Sequence, residues 1–234
     1  MPDQDYGAIA RWTGAALFTA LAIGIANATV VSPGIDINLS ANVSDVSTRM
    51  LEAEQSLRAR GWLLTAIFFA ELLVVLGLFH LTRDASRFGA GFATLAGVVA
   101  STLALWGAVN AFNAAEVASG NLPASTDPGG LAAIQAITNY SSFHLALVMS
   151  SISNAVFYRL FLTNRRLPAW IAGFGLFASV VVAIAIVARD FVPPLTSSLV
   201  TNAFMACNLI ALVLTAAYLL IGSREVVAKP SVLT

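Results

Sequence analysis

The chain has 234 residues, with 12 basic and 12 acidic side chains that cancel, and only 10% of its residues are charged while 58% are apolar. Soluble domains run at roughly 25% charged and about 45–50% apolar, so this balance excludes a water-soluble globular domain. No basic patch with interleaved aromatics suggests nucleic acid, and a single cysteine, Cys207, rules out an intramolecular disulfide.

A run of about 20 predominantly apolar residues crosses a hydrocarbon core of roughly 30 Å as an α-helix. Helix is the expected form because lipid cannot satisfy backbone N–H and C=O groups, and the alternation of a barrel strand is missing. The first such run is Trp12–Val31. Within it, Ala26-Asn27-Ala28 has the small-residue spacing of a signal-peptidase site. Asp3 and Asp5 make a poor positive leader, however, and the apolar run is long for a signal, so the span is expected to stay.

The connection 32–61 is too short for a separate domain. In it Val46, Met50, Ala53 and Leu57 recur at helical spacing and make one apolar stripe, Ser44 or Ser47 can cap its start, and Glu54 and Arg58 pair one turn apart. This predicts a short amphipathic helix on the outer surface, capping the bundle or resting in the headgroups.

The second span is Trp62–Leu81, followed by the short basic loop TRDASRF and a third span, Gly89–Ala111. Residues 113–130, rich in Gly, Pro, Ser and Asp, read as a loop. The remaining spans are Ala133–Leu162, Ala169–Ala188 and Thr196–Ile221, the first two joined by TNRRLP. Short connections make successive helices antiparallel neighbours. The predicted fold is all-α: a polytopic membrane protein of six transmembrane helices in an up-and-down bundle, with residues 1–234 forming one domain. No internal period supports an inverted-repeat transporter architecture.

Short cytoplasmic loops retain positive charge. With the N-terminus inside, Arg11, Arg83, Arg87, Arg159, Arg165, Arg166, Arg224 and Lys229 face the cytoplasm, against Arg49, Arg58, Arg60 and Arg189 outside. Both termini are therefore expected on the cytoplasmic side of a bacterial inner membrane. Trp12, Trp62, Trp106 and Trp170 fall near predicted helix ends, where indole rings prefer the headgroup boundary. Small residues spaced by four (Ala16, Ala20, Gly24, Ala28; Gly89, Ala93, Gly97, Ser101; Gly175, Ser179, Ala183) are expected to let helices approach closely, within the chain or between copies.

One acid interrupts the apolar spans at their centre. Glu71 lies midway between Trp62 and Leu81, at a depth where insertion of a carboxylate costs about 2.5–3.5 kcal/mol. The large apolar residues of that span each return about 0.3–0.6 kcal/mol, roughly 6 kcal/mol in sum, so the helix inserts despite the acid. Its helical neighbours Ile67, Phe68, Val74 and Val75 offer no hydrogen bond, and a partner must come from another helix.

The expected partner is His144, in a stripe of Tyr140, His144, Ser151, Asn154 and Tyr158 along one side of the fourth span. The last span adds Thr201, Asn208 and Thr215 at sevenfold spacing. The candidate site is thus Glu71, His144, Ser151, Asn154 and Asn208, a ligand-binding or proton-handling centre, since an intramembrane ionisable residue is a site hypothesis by default. Interhelical hydrogen bonding is the structural alternative.

No cofactor or metal is expected. His80 and His144 differ in depth by about nine residues, roughly 13 Å, too far to ligate one haem. The sole lysine, Lys229, lies in the tail, which excludes a retinal Schiff base. HExxH, GxSxG and Walker-type motifs are missing.

ARWTGAALFTALAIGIAN (10–27), SLRARGWLLTAIFFAELLVVLGLFHLTRDAS (56–86) and FYRLFLTNRRLPAWIAGFGLFASV (157–180) resemble the bacterial membrane family catalogued as domain of unknown function 4386. They match its opening AR-x-x-G helix, its arginine before the second helix, and its short basic loop with Pro168 and an aromatic at the start of the fifth. The resemblance implies six transmembrane helices and no established activity. It also implies acids near the outer start of the second helix and in the sixth, where this chain has Leu64 or Thr65 and Leu212, so no site residue carries over.

These readings point to an integral membrane protein that binds or moves a small lipophilic or protonatable ligand at a mid-membrane polar site. The alternative is an accessory or scaffold subunit docking a membrane protein partner or a second copy. An intramembrane enzyme would need a nucleophile or cofactor that the sequence does not offer.

Overall fold

The computed structural model describes residues 4–35, 43–123 and 125–222. Its α-helices are α1 (Gln4–Ala26), α2 (Val43–Met50), α3 (Glu54–Thr82), α4 (Arg87–Ala118), α5 (Pro128–Asn164), α6 (Ala169–Arg189) and α7 (Ser198–Ile221). All but α2 are long and apolar enough to cross a membrane. α1 packs on α3, α3 on α4, α4 on α5, α5 on α6, α6 on α7, and α7 returns to α1, so the six long helices form a closed up-and-down ring. The chain is an all-α integral membrane bundle.

The ring is apolar on both sides, as a membrane solvent requires. Phe18, Leu73, Leu95, Leu145, Phe177 and Ile184 are exposed on the perimeter, and so are the four tryptophans. Inside, Leu17, Val74, Val75, Leu78, Phe157, Phe161 and Leu219 form the main apolar cluster. Close approach depends on glycine at several crossings. A side chain at Gly14 would stand 2.8 Å from the Ala216 carbonyl oxygen of α7, and one at Gly175 of α6 would strike the Tyr158 ring of α5. Gly97 of α4 plays the same part against Val75 and Ser153, whose hydroxyl donates to the Ala93 carbonyl at 2.7 Å. The predicted small-residue stripes of α4 and α6 are therefore spent within the chain. That of α1 drifts outward, with Ala20 buried and Ala28 exposed.

Helix ends follow local chemistry. Ser86 caps α4 by accepting the Gly89 N–H, and Asp127 caps α5 by accepting from Gly129, with Pro128 at the first helical position. α1 ends in a π-helical turn, Asn27–Val31, closed by the Ser32 N–H on the Asn27 carbonyl at 2.9 Å. α5 ends at Arg165 in the left-handed region (φ 54°), which turns the chain toward Pro168 and α6.

The long helices overrun the membrane. α5 has 37 residues and α4 has 32, about 55 and 48 Å at 1.5 Å per residue, against a hydrocarbon core of roughly 30 Å. Their projecting ends, with the first turn of α3, make a second apolar cluster of Leu57, Ala114, Ala115 and Ala136 that α2 closes with Val46 and Met50. The predicted amphipathic helix thus caps the bundle, but as two pieces. It breaks after Met50, and Ala53 becomes the cap residue before α3, so Leu57 and the Glu54–Arg58 pair (3.0 Å) belong to the extended α3. Ser44 and Ser47 lie inside α2, where the Ser47 hydroxyl donates to the Ser44 carbonyl; the cap itself falls outside the described residues.

The opposite end, where α1 starts, is tied by side chains the sequence did not single out. Asp84 in the α3–α4 loop accepts from the Tyr6 hydroxyl and from Arg166, each at 2.8 Å. The Arg166 guanidinium lies over the Tyr6 ring at 3.9 Å and also donates to the Leu81 carbonyl, as does Asn164. Three segments distant in sequence are joined there.

Candidate functional site: a cavity in the helix ring

The ring holds a partly open cavity of about 250 Å³ lined by α1, α3, α4, α5 and α7. α6 is kept from it by Tyr158, whose ring fills the space against Gly175. Glu71, Asn154 and Asn208 all line it. Each lies roughly 15–20 Å from the end of its helix nearest the Tyr6–Asp84–Arg166 tie, at 1.5 Å per residue, so the three share one level of the ring.

The Glu71 carboxyl has the Ser101 hydroxyl of α4 beside it, which supplies the partner from another helix that the sequence required. Across the cavity the Tyr158 hydroxyl meets the Thr215 hydroxyl at 2.9 Å. Thr215 spends its own proton on the Ala211 carbonyl at 2.8 Å, so Tyr158 is the donor and keeps its oxygen as an acceptor. Asn208 Oδ1 is buried with no hydrogen-bond partner among the described residues. A buried acceptor without a partner costs on the order of 1–3 kcal/mol, which a donor arriving in the cavity would recover.

His144 does not meet Glu71. It packs beside Tyr140, and its Nε2 lies 3.6 Å from an Asp190 carboxylate oxygen at the far end of α6, away from the cavity. The reason is helix length. α5 begins at Pro128 and its first turns project beyond the ring, so counting from the start of the apolar run placed His144 too deep. Ser151 is buried but does not line the cavity; Ser150 and Ser153 do. At about 100° per residue, Ser151 and His144 lie about 60° and 80° around α5 from Asn154, toward α6. Thr201 is buried near the start of α7, its hydroxyl oxygen without a hydrogen-bond partner among the described residues.

Sequence reasoning missed Ser101, Ser150 and Ser153 as cavity residues. Ser101 carried a signal as the last member of the small-residue stripe on α4, where a hydroxyl replaces Gly or Ala. Among the described residues no three of His, Cys, Asp and Glu converge as a metal cluster would.

Comparison with known proteins adds the family and nothing on ligand. No curated protein and no solved structure matches the chain. The match extends from Thr13 to Gly222, the whole ring apart from the first turns of α1, and the chain belongs to the family described as Domain of unknown function (DUF4386), residues 13–222.

Proposed function

We propose that this membrane protein binds, and passes on, a small lipophilic or protonatable molecule in the cavity beside Glu71, with Asn154 and Asn208 as further polar contacts. The observation that carries the reading is a partly open space of about 250 Å³ inside the helix ring, faced by a carboxyl group and by an amide oxygen with no hydrogen-bond partner among the described residues. A helix ring needing only stability would fill such a space with apolar side chains, because a void forfeits packing energy and an intramembrane acid is costly. Ser151 and His144 have no part in this site.

We place the protein in the bacterial cytoplasmic membrane with both termini inside, on the arginine distribution of its loops. The small-residue faces of α4 and α6 are occupied within the ring, which leaves the scaffold reading the outward-turned stripe of α1 alone. Ala104 lines the cavity, so phenylalanine there fills it. Organic extraction of protein purified in mild detergent, followed by mass spectrometry, is expected to release a small lipophilic compound from the wild type and none from Ala104→Phe. Equal yields from the two, nil included, would contradict the reading.

A further inference from the structure

We infer that the cavity selects a cationic ligand: a compact lipophilic amine, bound as its ammonium form with the nitrogen at Glu71 and the apolar body against α1 and α5. The inference deepens the proposal above and rests on it. Its ground is the accounting of protons at the cavity wall. Ser150 donates to the Leu147 carbonyl at 3.1 Å, Ser153 to Ala93 at 2.7 Å, Thr215 to Ala211 at 2.8 Å, and Tyr158 to Thr215 at 2.9 Å. The Ser101 hydroxyl gives its proton to the Glu71 carboxylate, so each hydroxyl of the wall has spent its single proton on the protein and offers an incoming molecule only lone pairs.

Asn208 Oδ1 is a further acceptor without a partner. Glu71 is the one carboxyl on the wall, and no Lys, Arg or His lines it. With Glu71 ionised the wall accepts hydrogen bonds and, apart from the amide N–H groups of the two asparagines, does not donate them; an amine that enters as the free base takes the carboxyl proton of Glu71 and is held as the ammonium beside the carboxylate. An ammonium group brings three donors and the opposite charge to such a wall. A carboxylate or phosphate would find repulsion and few donors. A neutral apolar molecule would fit the volume but leave the acceptors unsatisfied.

The test uses three probes of one size and shape that differ in the polar group: naphthylethylamine, naphthylethanol and naphthylacetate. Binding to detergent-solubilised wild-type protein is followed by naphthyl fluorescence. The amine is expected to bind about tenfold or more tightly than the alcohol, the increment of one charge-assisted hydrogen bond, and the acetate not to saturate. Glu71→Gln, which keeps the side-chain shape, should bring the amine to the level of the alcohol. Asn208→Asp, which adds a second carboxyl, should tighten the amine and leave the alcohol unchanged.

Equal binding of amine and alcohol in the wild type, or an amine preference that survives Glu71→Gln, overturns cation selection while leaving the cavity as a ligand site. Binding of none of the three, with elution as a monodisperse folded particle, overturns the site itself. Binding of all three that persists in Ala104→Phe places them in the detergent or on the helix perimeter, and overturns both.

Discussion

At the scale of single residues, Glu71 shows how a polar group is tolerated in lipid. Its insertion cost is met by the apolar residues of its own span, and its neighbour comes from α4, one helix along the ring, where Ser101 supplies a hydroxyl. That a partner had to lie on another helix was legible in the sequence, because residues three and four away on α3 are all apolar. Its identity was not, because depth cannot be counted from helix starts when helices overrun the bilayer by different amounts. His144 is the consequence. Asp84 carries a different lesson: three segments meet on one carboxylate, and nothing in TRDASRF distinguishes it from any loop acid. Arg166 is largely shielded while Asp84 is half exposed, so the contact contributes modestly. Asp84→Ala is expected to lower stability to heat in detergent by about 1 kcal/mol, and Asp84→Asn, which still accepts from Tyr6, by less. Equal losses in both variants would show that charge, and not the shared acceptor, holds that end together.

At the scale of elements, hydropathy located every span because a bilayer demands an apolar run of fixed length. It placed the far ends of α4 and α5 badly because those ends leave the lipid. There α4 runs on through Asn113, Ala114, Ala115 and Glu116 and α5 starts with Pro128, Gly129 and Gly130, stretches that do not read as transmembrane, while Ala114, Ala115 and Ala136 pack under α2. The stripe Val46, Met50, Ala53, Leu57 identified the residues that bury together but not the break between them, since a turn at Leu51–Glu52 leaves all but Ala53 buried in the same cluster. The closure of α1 on α7 was not legible at all. It depends on Gly14, whose absent side chain lets α1 approach the backbone of α7. Gly14→Val is expected to cost about 1–3 kcal/mol by forcing the two helices apart. Gly24→Ala in the same helix, where nothing lies within 4 Å of the added atom, should be neutral or stabilising by up to about 1 kcal/mol. Thermal unfolding of the two variants side by side checks the assignment; similar behaviour would contradict the α1–α7 crossing.

At the scale of the whole molecule, the six long helices form a ring with an apolar perimeter and a largely apolar pocket inside that carries a few polar groups. One end is tied by Asp84 and the other is capped by α2. In the orientation proposed from the arginine distribution, the Asp84 end faces the cytoplasm. In a Cys207→Ala background, a membrane-impermeant maleimide is expected to label Asn121→Cys in intact cells and Thr163→Cys only after lysis; the reverse pattern would invert the protein. The account as a whole turns on Glu71 facing the cavity inside the ring and not the lipid around it. The most direct measurement is modification of that carboxyl in membranes by dicyclohexylcarbodiimide, a lipophilic reagent small enough to reach a buried acid, read by mass spectrometry of the α3 peptide. Labelling at Glu71 is predicted in the wild type, with loss of the label in Ala104→Phe and none from a water-soluble carbodiimide. Labelling undiminished by the filled cavity, or equal labelling by the water-soluble reagent, would place Glu71 against lipid or water and contradict the account.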